Sequence, residues 1–435
     1  MLIQLQNHIN QNLPFLNDKK LLLAVSGGID SMILLNLFSK LNLQIAIAHC
    51  NFQLRGDESN KDEEFVKFES QKLKVESFIK NFETQIYAND NKLSIQQAAR
   101  ELRYNWFYEL LNTQGFDHLL TAHHLDDSLE TFLINFTRGT GIEGLTGIPQ
   151  INDKIIRPLL IFSREEIEKY AAENNIQWRE DASNASDKYF RNKIRHHVVP
   201  ILKELNTNLL SSFQNTLKNL KQTESLASHS IYNKLEEIAI KKEDDIYFDV
   251  VKLQTLPNYK AYLYEWLKSY GFHDWDAIYD LVENQSGKQI LSDHYRLIKD
   301  RNILILTKKQ TSLTLEFFIS KETKYIENPI KLRFCNSGYN TIPTKSSIFV
   351  NKETLKFPLK LRKWQKGDYF YPSGMKGKKK ISKYFKDEKF SLVDKEDTWL
   401  LLSDDKIVWV INHRADNRFI AHSNTKNILN IIFTE

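Results

Sequence analysis

The sequence predicts an α/β protein: a doubly wound parallel sheet first, then a small mainly helical domain, then a β-rich α+β domain. Three observations carry this reading. Short apolar runs, LLLAV (21–25), LQIAIAH (43–49), FETQIYA (82–88) and HLLTA (118–122), alternate with helical patterns near 31–40, 60–80, 94–113 and 124–137, and such alternation makes parallel sheets covered by helices. The first run is apolar throughout, as a strand buried on both faces must be. After residue 311 the alternation gives way to short β-rich runs, including WLLLS and KIVWVIN.

Taken in order, residues 1–204 form the first domain. LLSSFQNTLKNLKQTESLASHSIYNKLEEIAIKK then carries Phe213, Leu217, Leu220, Ile231, Leu235 and Ile238 at helical spacing, a long helix leading out of it. The second domain, 205–310, holds helices near 259–270 and 274–284 and a strand hairpin in RLIKDRNILILTKK. The third spans 311–435.

Composition excludes several classes. Hydrophobic content of 41% and charged content of 26% are those of a globular chain, not a disordered or fibrous one. The two cysteines, Cys50 and Cys335, form no C-x-x-C and suit a reducing cytoplasm. MLIQLQNHINQNL is amphipathic without a basic leader, so no signal peptide is expected, and no run approaches the ~18 apolar residues of a membrane span. A soluble, cytoplasmic protein with no membrane partner is therefore expected. Net charge is +5, yet Leu359 to Lys389 alone holds eleven Lys or Arg against three acids. That excess exceeds the whole chain's surplus and points to a polyanion-binding face.

The most informative stretch is LLLAVSGGIDSM (21–32). A glycine turn between a buried strand and a helix start exposes backbone N–H groups where the helix dipole favours an anion, and phosphate fits. Ser26 and Ser31 add hydroxyl donors, and Asp30 is suited to hold magnesium. No G-x-x-x-x-G-K-[ST] occurs. Gly139-Thr140-Gly141-Ile142-Glu143-Gly144 spells a dinucleotide fingerprint but follows a helix, so it reads as a helix-ending loop. In TAHHLDDSLE (121–130), Asp126, Asp127 and Glu130 cluster at a helix start after a strand. They complement the dipole, bind magnesium, or take a proton from an attacking amine. Arg100 and Arg103 lie three apart on a helix, and Arg191 and Arg195 sit among aromatic residues, a pairing suited to phosphate and an unpaired base.

S-G-G-x-D-S resembles the pyrophosphatase loop of the N-type ATP pyrophosphatases. Together with HCNFQLRGDESNKDEEFV, ARELRYNWF, TAHHLDDSLETFLINFTRGTGIEGLTGIP, RPLL, WREDASNASDKYFRNKIRHHVVP and LRKWQKGDYFYPSGMKGKKKISKYFKDEK, in that order, it resembles the tRNA(Ile)-lysidine synthetase family nearly end to end. The resemblance implies an adenine nucleotide alpha hydrolase-like fold and a ligase that uses ATP and Mg2+ to adenylate C2 of the wobble cytidine of a CAU-anticodon isoleucine tRNA. Free L-lysine then displaces AMP. It further implies ATP binding at Ser26, Gly27, Gly28, Ile29, Asp30 and Ser31, and catalytic roles for Asp127, Arg103 and Arg191, with Asp30 and Asp127 as magnesium ligands. Arg195, Lys378, Lys379, Lys380 and Lys383 are implied on tRNA, Arg55 and Asn192 are weaker candidates, and a homodimer is left open. The loop alone is shared with tRNA thiolation enzymes and amidating synthetases, and an RNA-binding protein with an inactive loop is the reading from another class.

Overall fold

A computed structural model describes residues 1–180, 187, 189–309, 316–337 and 344–434. Residues 181–186 and 188, inside the WREDASNASDKYFR segment, lie outside these, as do the residues around the expected 310/311 boundary. The chain divides into two compact units, Met1–Ser228 and His229–Glu435.

In the first unit, β1 (Lys20–Ala24), β2 (Gln44–Asn51), β3 (Glu76–Asn81), β4 (His118–Leu120), β5 (Ile151–Asn152) and β6 (Ile155–Ile156) form one sheet in the order β3-β2-β1-β4-β6-β5. All pairings are parallel except β5 with β6. Side chains of β1 alternate between two cores. Leu21 and Leu23 join Leu5, Ile33, Leu37, Phe38, Phe162 and Ile167 on one face, while Leu22 joins Trp106, Phe107, Leu110 and Leu119 on the other. The first face is covered by α1 (Leu2–Asn12), α2 (Ile29–Ser39) and a helix from Arg164 to Glu173, the second by α5 below. This is the doubly wound arrangement expected from a strand apolar on both sides.

Helices α3 (Asp57–Lys72), α4 (Thr84–Asp90), α5 (Ile95–Thr113), α6 (Leu125–Arg138), α7 (Ile142–Leu145) and α8 (Arg164–Glu173) complete the layers. Ser94 and Ser163 start α5 and α8 with capping boxes to Gln97 and Glu166. One expected strand is corrected. FETQIYA is not a strand: β3 ends at Asn81 and Thr84 opens α4, its hydroxyl donating to the Phe52 carbonyl at 2.9 Å. The true strand falls in what read as the end of a helix to residue 80. That helix stops at Lys72 because Lys74 takes φ 54° and Val75 N–H closes back on Ser70 C=O at 2.9 Å. A lysine in the left-handed region gives none of the glycine signal such a stop normally carries. The G-T-G-I-E-G loop does end a helix: Gly139 caps α6 with φ 74°.

After α9 (Phe190–Lys193), a π-helical turn (Ile194–Val198) leads into α10 (Val199–Leu205) and then α11 (Leu209–Ile238). Pro200 has no N–H to give residue 196, and the Val199 N–H reaches back to Ile194 C=O instead, which widens the turn. Phe213 and Leu217 of α11 pack with Leu125 and Leu129 of α6.

The second unit opens with β7 (Ala239–Lys242), β8 (Asp245–Asp249), α12 (Val250–Thr255), α13 (Tyr259–Leu267), α14 (Trp275–Glu283), β9 (Gln289–Leu291), β10 (Tyr295–Asp300) and β11 (Ile303–Lys308). The expected helices and hairpin are present, and the hairpin is the centre of a five-stranded antiparallel sheet, β7-β8-β11-β10-β9. Next come β12 (Phe317–Ile319), β13 (Tyr325–Ile326), β14 (Lys331–Ser337), β15 (Ser347–Asn351), β16 (Leu359–Lys363), β17 (Tyr369–Phe370), β18 (Lys379–Lys380), α15 (Ile381–Asp387), α16 (Leu392–Asp397), β19 (Trp399–Ser403), β20 (Lys406–Val410), β21 (Arg414–Ala415) and β22 (Ile428–Thr434). They build sheets β12-β16-β19-β20-β21 and β13-β14-β22-β15, which enclose Leu361, Leu401, Trp409 and Ile431 between them. Leu400 and Leu402 face the other way, onto Phe385 of α15.

One ion pair ties α16 to the earlier sheet. Arg296 of β10, 7% exposed, grips both carboxylate oxygens of Glu396, and Val393 packs on Ile298 and Ile305 beside it. Removing one partner of a pair this enclosed leaves a guanidinium without compensation. Glu396→Gln is expected to lower the unfolding free energy by about 2–3 kcal/mol, since the carboxylate is itself partly exposed. Urea titration checks this, and an unchanged midpoint would show the pair to be neutral.

Candidate active site

The chain runs from β1 outward through β2 to β3, then returns to the other side of β1 as β4. At such a reversal the loops after the two central strands part and leave a crevice at the carboxyl edge of the sheet. Ser26–Ser31 follows β1, Phe52–Arg55 follows β2, Thr121–Asp127 follows β4 and Arg157 follows β6, so the chemically notable segments share one edge.

The glycine turn is held from inside. Ser31 Oγ donates to Gly28 C=O at 2.8 Å and accepts from the N–H groups of Ser26 (3.1 Å) and Gly27 (3.2 Å). His49 Nδ1 donates to Val25 C=O at 2.9 Å, and Arg179 N–H donates to Gly27 C=O at 3.0 Å. Gly27 has φ 94°, a torsion that favours glycine, and a Cβ there would sit tightly against Val66 at 3.3 Å. Gly28 is the N-cap of α2 and no side chain caps that helix, which leaves its first N–H groups to an anion.

Facing the turn is a cluster of buried acids and partly exposed arginines. Asp126, Asp127 and Glu130 on the first turns of α6 are 6%, 9% and 2% exposed. Arg191 donates to Asp127 Oδ1 (2.9 Å) and Glu130 Oε2 (2.7 Å), and Arg195 to Glu130 Oε1 (2.5 Å) and Asp127 Oδ1 (3.2 Å). Asp126 takes Lys203 Nζ at 2.6 Å and the Arg164 N–H at 2.8 Å. His124 lies between loop and cluster, its Nε2 3.7 Å from Asp30 and 3.5 Å from Asp127. Asp30 meanwhile receives Arg164 Nη1 on both oxygens at 2.8 Å.

The structure thus brings together Ser26, Gly27, Gly28, Ile29, Asp30, Ser31, Asp127, Arg191 and Arg195. Arg103 stands elsewhere on the edge, stacked on Phe52 at 5.1 Å, and Arg55 pairs with Asp62 at 2.8 Å. Lys378 lies over the Tyr369 ring at 3.5 Å, Lys379 pairs with Asp387 at 2.9 Å, and Lys380 and Lys383 are exposed. Glu130 was named from sequence with Asp126 and Asp127 as a magnesium ligand or proton acceptor, whereas Arg164 and His124 were not singled out as site residues. Glu130 carried a signal, lying one helical turn after Asp127, whereas Arg164 reaches Asp30 across 134 residues and left none. Among the described residues no group of three or more His, Cys, Asp or Glu is arranged as a metal site. Two carboxylates flanking one imidazole nevertheless suit magnesium, which takes few protein ligands and completes its shell with phosphate oxygens and water.

Burial raises the Asp30 carboxyl, with His124 and Arg164 opposing. Burial acts likewise on Asp127, but His124, Arg191 and His123, with the His124 N–H, outweigh it and hold the group below the usual carboxylate range. His123, which shares a hydrogen bond with Thr121 Oγ1 at 2.9 Å, is pushed by burial down to about 4 and is neutral at pH 7. Because an unfolded histidine titrates near 6.5, the unfolded chain takes up a proton that the folded site refuses as pH falls between these values. Stability from this group therefore drops by up to about 1.4 kcal/mol per pH unit from pH 6.5 towards 4. His123→Asn should lose stability less steeply than the native chain in that window, as read by urea unfolding across a pH series. Parallel slopes would show that His123 titrates normally.

The PP-loop domain model matches residues 1–202, the TilS substrate binding domain 241–309 and the TilS substrate C-terminal domain 359–431. The tRNA(Ile)-lysidine synthase of Parabacteroides distasonis is 38% identical over 96% of both chains, and that of Caldanaerobacter subterraneus 30% identical over 96% of this chain and 94% of its own. The Bacteroides thetaiotaomicron enzyme of the same name is 39% identical over 97% of both. With identity of this extent along the whole length, and a glycine turn facing a buried acid and arginine cluster, the chain belongs to the tRNA(Ile)-lysidine synthase family.

Proposed function

We propose that this protein ligates free L-lysine to C2 of the wobble cytidine of a CAU-anticodon isoleucine tRNA, consuming ATP and releasing pyrophosphate and AMP. The observation that carries this is the apposition of the Ser26–Ser31 turn to the Asp127/Glu130 and Arg191/Arg195 cluster across one crevice. ATP lays its phosphates on the Ser26–Ser31 turn, whose shape the Ser31 hydroxyl holds and where the uncapped N–H groups at the start of α2, from Ile29 on, offer donors. The cytidine O2 attacks the α-phosphorus, and the C2 oxygen becomes part of a good leaving group. Asp30 and Asp127 would hold Mg2+, which would supply positive charge against that growing on the departing pyrophosphate.

In the second step the lysine ε-amine attacks C2 and AMP leaves. An ammonium near pKa 10.4 must first lose a proton to water, and desolvation in the crevice favours that loss. Asp127, held below the ordinary carboxylate range and shared by two guanidiniums, is a weak base. Its role is to attract the ammonium and to fix Arg191 and Arg195 towards the negative charge of the adenylate. Asp127→Asn is expected to abolish nearly all turnover and leave tRNA affinity within a few-fold. The assay is lysine-dependent AMP release with labelled lysine retained in the tRNA. Sulfur or ammonia dependence instead would indicate thiolation or amidation, and binding without turnover an inactive relative.

Lys378, Lys379, Lys380 and Lys383 supply affinity for tRNA, with Tyr369 beneath Lys378 as a stacking surface. Because Asp387 already engages Lys379, neutralising Lys378, Lys379 and Lys380 together should lower the salt slope of tRNA binding by about 1.5–2 units, at ~0.7–0.9 per phosphate contact. An unchanged slope would make the segment a solvated hairpin.

A further inference from the structure

Arg157 is the anomalous charge of the first unit. It is 7% exposed, yet no carboxylate pairs with it among the described residues. Its one side-chain hydrogen bond runs from Nη1 to Pro149 C=O at 2.7 Å, and its Nε is buried without a partner. Every other buried or half-buried guanidinium of the crevice is matched: Arg164 by Asp30 and Glu168, Arg191 and Arg195 by Asp127 and Glu130. An enclosed guanidinium without an anion is expensive to keep. Burial pushes its pKa down and Arg100 adds to this, with Tyr104 opposing.

Position gives the anion its identity. β1, β4 and β6 are adjacent and parallel, so their carboxyl ends stand in a row. Along it come the phosphate-accepting turn, the acids of α6, and Arg157 directly after β6. One strand spacing, about 4.8 Å, separates the ends of β4 and β6. His123 lies between, close enough that both Asp127 and Arg157 act on its ring. Arg100, stacked on Tyr104 at 4.9 Å, extends the positive patch on α5.

We propose that Arg157, with Arg100 beside it, receives the α-carboxylate of the amino-acid substrate while its ε-amine points to Asp127 and Glu130. This rests on the ligase reading above. A planar fork matches a carboxylate with two parallel hydrogen bonds, and a lysine side chain in its place would make only one.

The test is steady-state kinetics of the full-length protein with isoleucine tRNA, comparing lysine with 1,5-diaminopentane, which keeps the amine and lacks the carboxylate. Arg157→Lys and Arg157→Met should raise KM for lysine about 10- to 100-fold with KM for ATP and tRNA within a few-fold. The same variants should leave kcat/KM for the diamine within a few-fold, so that discrimination between the two collapses. Arg100→Gln, at an exposed position, should move lysine KM in the same direction by a smaller factor and keeps the test open if Arg157 variants do not fold. A rise in KM for ATP or tRNA would assign the site to a phosphate, and unchanged lysine KM in all variants would overturn the proposal. An inactive native protein would fail the ligase reading itself, a result separate from these.

Discussion

Two carboxylates one helical turn apart meet two guanidiniums one helical turn apart, and the geometry of the crevice depends on that match. Asp127 and Glu130 are almost wholly enclosed, and neither could stay ionised there alone. Arg191 and Arg195 supply the compensating charge, each touching both acids. The π turn that follows Lys193 lies within the segment carrying Arg195 and lets Pro200 continue it as a helix. The network therefore fixes α9 and α10 against α6, and α6 in turn starts where β4 ends. Its members are charged on all sides at once, so the loss of any one leaves the others uncompensated.

The second constraint is topological. A parallel sheet buried on both faces exposes only its edges, and the reversal between β1 and β4 makes one carboxyl edge a crevice. His124 links its two sides, Asp30 on the turn and Asp127 on the helix, at 3.7 and 3.5 Å. Arg164 closes the same junction from α8, holding the Asp30 carboxylate and, through its N–H, Asp126. Phosphate site and acid cluster are thus one electrostatic unit.

Much of this was legible in the sequence, for local reasons. The β1 run and the SGG turn encode burial and torsion over a dozen residues, and α6 announces both its apolar stripe and its acidic start. What stayed hidden depends on contacts between distant segments. Nothing near Arg164 signals a partner 134 residues earlier. Lys74 ends α3 in the left-handed region because Val75 finds Ser70, so the strand that follows was read as helix and the next helix as strand. The outer strands of the middle sheet are short and weakly alternating, and they exist because the β10–β11 hairpin offers them edges. Glu130 was visible as an acid but not as the shared seat of two arginines.

Cationic groups in this chain fall into two physical kinds, and the kinds divide the work of handling a polyanion. Lys378, Lys380 and Lys383 are exposed, with long flexible stems. Their attraction for any anion is screened within about 8–10 Å at physiological salt, so it is salt-sensitive and carries little orientation. Arg157 is buried, and Arg191 and Arg195, though 39% and 36% exposed, are each held by two buried carboxylates, so each fork has a fixed direction. A charge there cannot recruit a tRNA from solution, but it can set the position of a carboxylate or a phosphate to within a hydrogen bond. Placing the diffuse charge on one unit and the directed charge on the other lets each be strong without weakening the other.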